Sequence, residues 1–436
     1  MEQVTSAASG LQLQSVEQLT YRKVTMRIVP LLFICYLGAY LDRVNVGFAK
    51  LQMLHDLGFS ETVYGFGAGI FFLGYVLFEV PSNIALHRVG ARLWITRIML
   101  TWAVISACMI FVKSPISFYF ARFLLGVAEA GFIPGVLLYL TYWYPAKRRG
   151  RITALFLTAI PMSSIFGGPL SGWILKELSG ARGLAGWQWL FLVEAIPSLV
   201  LGFVVLRFLD DRVAAVKWLT PEEKRIVSDN IATEEREKEG FSKLSQAFTS
   251  GQVWLLGLIY FCVASGIYII SFWLPTIIKG SGVSDPLEIG LLTAVPYIVA
   301  IVAMLAVNAD ADRTRERRWH VIVPSIVTGL GLAVTALSGT NTALAMVGLV
   351  LAAAGASSAQ SAFWTLPAAF LGGAAAAAGI ALVNALGNIA GFASTFIVGW
   401  MTDLTHSTSA GLYAFAGLAV AGGLLILRIP ARLVNK

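Results

Sequence analysis

Charge is scarce in this chain. Asp, Glu, Lys and Arg make up only 13% of its 436 residues, where a soluble globular protein carries roughly 25%. That deficit argues against a secreted enzyme, a disordered scaffold and a DNA-binding domain. Histidine and cysteine are rare too. The four histidines, His55, His87, His320 and His406, fall in or near separate loops and form neither a metal-ligand pair on one helix nor a nucleophile–base arrangement. The three cysteines, Cys35, Cys108 and Cys262, lie in three different apolar stretches and suggest neither a metal site nor a disulfide framework. No GxxxxGK[ST] stretch is present to cradle a nucleotide phosphate. The net charge of +8 is spread over the segments between apolar runs rather than gathered on one surface, so nucleic acid is not an expected partner. Neither a cofactor nor a metal is expected, and no enzyme chemistry. The first 20 residues are polar, without the charged and apolar stretches of a secretory leader.

What is abundant is apolar sequence. Hydrophobic residues reach 57% and mean hydropathy is +0.75. They fall in repeated runs of about 20 residues, the length that crosses the hydrocarbon of a bilayer as a helix. The lipid bilayer is therefore the first expected partner. Spans are predicted near 27–49, 62–86, 93–112, 116–143, 151–175, 187–208, 252–277, 289–309, 319–338, 342–366, 376–400 and 411–429. Lys50, Lys113, Lys176, Arg182 and Lys279 fall on one side of the membrane, while the great majority of Lys and Arg fall on the side of the N-terminus. The positive-inside rule then places both termini in the cytoplasm. The longest segment between spans, 209–251, divides the chain into blocks of similar length. The expected organisation is a cytoplasmic N-terminal segment 1–26, a six-helix half 27–208, the linker 209–251, a second six-helix half 252–430 and a tail 431–436. Two six-span units suggest a duplicated membrane repeat, an arrangement that encloses a substrate site at the repeat interface in many transporters.

Ionisable residues inside such spans are costly, by about 2.5–3.5 kcal/mol each on insertion scales, and so point to function. Asp42 and Arg43 lie inside the first span; Arg122 and Glu129 lie seven residues apart on one face of the fourth. If those helices face one cavity, two cations and two carboxylates line a common polar chamber. Two readings of this chamber stay open. In one, the charges form an internal lock between helices. In the other, an arginine forks onto a substrate carboxylate, and Asp42 and Glu129 take up protons because burial and a nearby arginine act on a carboxylate in opposite directions. Glu79 and Glu194, also within spans, are expected to serve helix ends or packing. Small-residue steps at Gly65/Gly69, Gly168/Gly172 and Gly387/Gly391 are expected to be close helix contacts.

Four stretches carry a resemblance: YLGAYLDRVNVGF at 36–48, FGAGIFFLGYVLFEVPSN at 66–83, RVGARLWITRI at 88–98 and RFLLGVAEAGFIPG at 122–135. In order, and with the right spans between them, they resemble the major facilitator superfamily, and within it the anion:cation symporter family of organic-anion/proton transporters. The resemblance covers essentially the whole chain. It implies the all-α major facilitator fold of twelve transmembrane helices in two six-helix halves, and uptake of a small organic anion together with a proton by alternating access. Asp42 and Glu129 then resemble the proton-coupling residues, Arg43 the ligand of the substrate carboxylate, and Arg122 a charge partner that tunes Glu129. Tyr75 occupies the position of an aromatic cavity hydroxyl. SAFWTLP at 361–367 and ALVNALGNIAG at 381–391 resemble the family's tenth and eleventh spans, which adds Gln360, Ser361, Trp364, Asn384 and Asn388 to the expected cavity. Arg88, Arg92, Asp312 and Arg313 fall in the gating loops, with departures: His87 stands where the family has Asp, and Asn83 and Asn308 where it has Gly. The implied setting is a bacterial inner membrane and a functional monomer. The substrate is expected to be a tartrate-like hydroxy-diacid or an aromatic acid. An anion facilitator or exchanger without proton coupling keeps Arg43 but makes Glu129 structural. A membrane sensor or scaffold would need a large soluble domain, and the longest segment outside the spans is about 40 residues.

Overall fold

A computed structural model describes residues 2–238, 250–370 and 373–435. Residues 239–249 of the expected linker, Gly372 and the last residue of the tail therefore lie outside the described residues. Among the described residues the architecture is helical throughout, without strands. The N-terminal helices are α1 (Glu2–Leu57), α2 (Glu61–Val89), α3 (Ala91–Cys108), α4 (Pro115–Glu129), α5 (Phe132–Thr141), α6 (Ala146–Leu157), α7 (Ala159–Glu177) and α8 (Gly186–Phe208). A connecting helix α9 (Pro221–Lys238) follows. The C-terminal helices are α10 (Gly251–Gly280), α11 (Pro286–Thr314), α12 (Trp319–Leu337), α13 (Thr342–Phe363), α14 (Thr365–Phe370), α15 (Gly373–Thr405), α16 (Ser409–Leu425) and the short α17 (Ala431–Val434).

Local chemistry sets several boundaries. Ser60 accepts the Val63 N–H at the start of α2, and Asn341 accepts the Leu344 N–H at the start of α13. Asp285 accepts the Leu287 N–H just before Pro286 opens α11. Each side chain satisfies a donor that the first helical turn leaves without a partner. Ser114 and Ser117 form a reciprocal capping box around Pro115 at the head of α4.

Among the described residues, eleven helices are long and apolar enough to cross a membrane. The predicted fifth span differs from the rest: it divides at Thr158 into α6 and α7. Ser163, Ser164, Gly167, Gly168, Ser171 and Gly172 keep α7 less apolar than its neighbours, and the same small residues let other helices approach it closely. The predicted fourth span is also two helices. Helix α4 ends at Glu129, Ala130 leaves helical geometry, and Gly131 takes a φ of +84° before α5 begins. A side chain at Gly131 would be strained at that φ and would meet Ser82 Oγ at 2.3 Å.

The N-terminal and C-terminal helices meet along two principal seams, α2 against α15 and α7 against α11, with α1 against α10 between them. Glycine paves both seams. A Cβ on Gly65 would lie 2.4 Å from Thr395 O, and one on Gly399 2.4 Å from Glu61 O. On the other seam a Cβ on Gly290 would lie 2.3 Å from Gly168 O, and one on Gly172 2.4 Å from Pro286 O. Nearly all of these contacts crowd toward one end of the bundle, the end opposite the chain termini.

Candidate functional site

Neighbouring residues on an α-helix point about 100° apart, and α1 turns that geometry into a division of labour. Arg43 points across to α4, where its Nε and Nη2 both donate to Oε1 of Glu129, Nε at 3.0 Å. The pair is dry, with side chains 9% and 2% exposed. The guanidinium lies over the rings of Tyr40, Phe71 and Tyr75, at 5.8, 5.3 and 5.3 Å. Glu129 is the last residue of α4, so the charged pair sits at a helix break, as it does in discontinuous transporter helices.

Asp42 goes elsewhere. Its Oδ1 accepts Ser106 Oγ at 3.1 Å, and its Oδ2 accepts Trp102 Nε1 at 3.1 Å and Ser198 Oγ at 2.5 Å. It is thus held between α1, α3 and α8, away from Arg43. Arg122 is fully buried and makes its contacts with α2: Nε and Nη2 donate to the Gly67 and Ala68 carbonyls at 3.4 Å, and its guanidinium faces Phe71 at 5.1 Å. Instead of one chamber holding four charges, the structure shows one ion pair, Arg43 with Glu129, flanked by an acid and a base that each have their own partners. Glu129 is bonded to Arg43, not to Arg122, because Arg122 is drawn to backbone carbonyls that α2 exposes at Gly67.

The C-terminal helices contribute a belt of tyrosines and amides. Gln360 Nε2 donates to Tyr260 OH at 3.2 Å, and Trp364 meets the Tyr260 ring edge-on at 4.8 Å. Tyr268 OH donates to Asn388 Oδ1 at 3.3 Å, and Asn308 Nδ2 to Ser361 Oγ at 2.6 Å. Asn384 Nδ2 reaches the N-terminal helices, donating to Glu79 Oε1 at 3.0 Å. A cavity of about 40 Å³ lies between α7 and the C-terminal helices, lined among others by Pro161, Ser271, Tyr297, Gln360, Ser361 and Trp364. Its lining therefore includes three of the expected cavity residues, but not Arg43, Tyr75, Asn384 or Asn388.

The two ends of the bundle differ. At the end opposite the termini, Asp403 accepts the Glu61 and Thr62 N–H groups, Lys176 pairs with Asp285, and Lys279 donates to the Leu51 carbonyl. Lys50 pairs with Glu61 at 2.5 Å and lies 3.8 Å from the Trp273 ring of α10. Deeper in, Tyr64 OH donates to Phe272 O, and Tyr40 OH lies 2.9 Å from Ser271 Oγ. Toward the terminal end, Asn384 hydrogen-bonds Glu79 across the two sets of helices. Arg88, Arg92, Asp312 and Arg313 are exposed at that end. Neither Asp312 nor Arg313 has an ion-pair partner among the described residues. The Arg92 backbone N–H instead donates to Asp211, from the segment after α8.

Residues 32–395 match the Major Facilitator Superfamily. The chain belongs to that superfamily. The putative metabolite transport protein NicT of Pseudomonas putida is 50% identical over 417 residues, 95% of each chain. A putative tartrate transporter of Agrobacterium vitis is 47% identical over 422 residues, 96% of this chain and 93% of the relative. A partially occluded inward-open conformation of the xylose transporter XylE from E. coli superposes with a TM-score of 0.74 over 93% of this chain and 98% of that one; at 14% identity this likeness concerns the fold alone. The protein is thus a multi-pass membrane transporter of an organic substrate and not an enzyme.

Within this major facilitator fold, the residues that sequence reasoning missed are contacts between its two sets of helices. Glu79 reads in the sequence as a helix-end or packing residue, and nothing in the sequence marks Asp403 or Ser271 as a contact. Glu79 alone carried a signal, a carboxylate inside a span. Asp403 sits at the end of an apolar run, where charge is ordinary, and its target is a pair of backbone N–H groups that no side-chain pattern reveals.

Proposed function

We propose that this transporter carries a small organic carboxylate inward with protons, by rocking of the halves 27–208 and 252–430 about a central site. The observation that carries this reading is the Arg43–Glu129 pair. A guanidinium buried against three aromatic faces is held neutral overall by one carboxylate, on another helix, at a helix break. A substrate carboxylate can replace Glu129 on Arg43 only if Glu129 loses its charge, since two anions against one buried cation leave an uncompensated charge. A proton on Glu129 supplies that neutrality. Substrate and proton then enter together, which is the physical content of symport.

The organic acid reaches Arg43 from the cavity lined by Gln360, Ser361 and Trp364, with Tyr75, Asn384 and Asn388 hydrogen-bonding its hydroxyl or carboxylate oxygens as the halves move. Arg122 holds α4 to α2 and so sets the position of Glu129, and Asp42 is a second protonatable group. Arg88, Arg92, Asp312 and Arg313 bear on the terminal-end gate. The setting is a bacterial inner membrane, with both termini cytoplasmic and the monomer as the working unit. The closed end is then the outer one, consistent with the crowding of inter-half contacts there.

The test uses purified protein in vesicles, an inward proton gradient, and labelled tartrate, phthalate and hydroxyphenylacetate. Uptake of one of these above the gradient-free level is expected. Arg43→Ala should abolish it, and Glu129→Gln should abolish gradient-driven accumulation while sparing exchange. Accumulation by both variants at the wild-type level would remove these roles. An exchanger without proton coupling would show equal uptake with and without the gradient.

A further inference from the structure

A second carboxylate lies near Asp42, and the proposed transport cycle does not use it. Glu194 on α8 is fully buried, and its Oε1 accepts Ser171 Oγ from α7 at 2.6 Å. Its Oε2 has no hydrogen-bond partner. Asn45 on α1, 1% exposed, stands close enough to Glu194 for its amide to interact with the carboxylate, yet neither amide atom is in a formed hydrogen bond. Three buried polar atoms thus stand together without partners, in a region where most such atoms are paired.

Charge deepens the anomaly. Asp42 and Glu194 lie within reach of one another, and Glu129 is a further anion within reach of Asp42. The helices packed around the two carboxylates present hydroxyl, amide and indole groups: Ser106 and Trp102 from α3, Ser171 from α7, Ser198 from α8 and Asn45 from α1. Among the described residues no Lys, Arg or His forms an ion pair with either carboxylate. Two like charges in a dry site do not both persist. The donors decide which acid stays ionised. Asp42 receives three formed hydrogen bonds and Glu194 one, from Ser171, so the unpartnered Oε2 of Glu194, beside the Asn45 amide, is the place for a proton.

The site also has an approach. A narrow cavity of about 10 Å³ is lined by Asn45, Ser164, Ser171, Ser271 and Tyr297, and so runs between α1, α7 and the C-terminal helices. That is room for about one water. Ser271, Tyr297 and Ile270 also line the larger cavity beside Gln360 and Trp364.

We propose that Glu194 is a proton-binding site loaded from the cavity between the halves, with Asn45 as its positioning residue. Loading forms an O–H bond on Oε2 and breaks one on the hydronium ion that delivers the proton, leaving neutral water; release is the reverse. The consequence for transport, one further proton in each cycle, rests on the symport reading above. The site itself does not.

Infrared difference spectra of the purified protein at neutral pH test it without substrate. Wild type should show a carboxylic-acid C=O band that is missing in Glu194→Gln, present in Glu194→Asp, and shifted when water is replaced by D2O. A spectrum unchanged by Glu194→Gln overturns the proposal, and so does a band that D2O leaves unshifted, because that proton is sealed from the cavity. In vesicles with tartrate as probe and an internal pH dye, Glu194→Gln should lower the proton-to-tartrate ratio by one, and Glu194→Asp should restore it. Wild-type protein that moves no tartrate counts against the substrate reading alone, while the infrared band still decides Glu194.

Discussion

Asp403 stands at the end of α15, and its carboxylate caps a helix of the other half. Oδ1 accepts the Glu61 N–H at 3.0 Å and Oδ2 the Thr62 N–H at 2.8 Å, two of the donors that the first turn of α2 leaves free. Hydrogen bonds to a charged group are worth about 1.5–3 kcal/mol each, and the lower end applies because Asp403 is only half-buried. In the proposed rocking motion both bonds break when this end opens. Asp403→Ala removes them together, about 3 kcal/mol, and moves the closed-to-open ratio by roughly a hundredfold. Asp403→Asn keeps one acceptor and should move it by about tenfold. Spin labels at the exposed Lys113 and Ser407, in a background lacking Cys35, Cys108 and Cys262, report the separation of the halves at this end. The distance distribution should gain a longer component in Asp403→Asn and be dominated by it in Asp403→Ala. Distributions matching the parent protein in both variants would show that the cap does not hold the closed form.

Two further perturbations address the same closure. Gly290→Ala places a Cβ 2.3 Å from Gly168 O, against backbone that cannot rotate aside. Overpacking of this kind costs about 1–3 kcal/mol, so the same label pair should shift toward the longer distance, while Gly417→Ala, which meets nothing within 4 Å, should leave it unchanged. Acid should also loosen this end. The hydrogen bond from Lys176, followed by the Leu287 N–H, holds the Asp285 carboxyl below its ordinary value of 3.8. A lowered value means that its contribution to closure is complete above that range and is lost as pH falls through the depressed value. The long-distance component should therefore rise below about pH 3.8, and Lys176→Ala should weaken that dependence. A response to acid of the same size in Lys176→Ala would assign it to another group.

How much of this was legible in the sequence depends on the kind of force involved. Span length and apolar content follow from the bilayer, which acts on every residue of a run at once, and so the helices lie close to their expected positions. The exceptions are local. The break after Glu129 needs only Ala130 and Gly131 to leave helical geometry, and an apolar run of span length reads straight across it. Thr158 similarly divides a span that reads as one. The glycine steps at Gly65, Gly168 and Gly172 were visible and are inter-helix crossings, because a small side chain admits a close approach whatever the fold.

The charged residues show the limit more sharply. Sequence identifies Asp42, Arg43, Arg122 and Glu129 as costly, but cost says only that each needs a partner. Partner choice depends on rotation about α1, where one residue of offset sends Arg43 to Glu129 and Asp42 to Ser106, Trp102 and Ser198. Hydroxyls and an indole are ordinary inside a membrane helix, so nothing in the sequence marks them as ligands of a carboxylate. Under the proposed symport, that separation gives the two acids different consequences: a proton on Glu129 would change what Arg43 can bind, whereas a proton on Asp42 would change how α1 is held to α3 and α8. Two carboxylates that look equivalent in sequence are held by different partners, Glu129 by an arginine of another helix and Asp42 by hydroxyls and an indole.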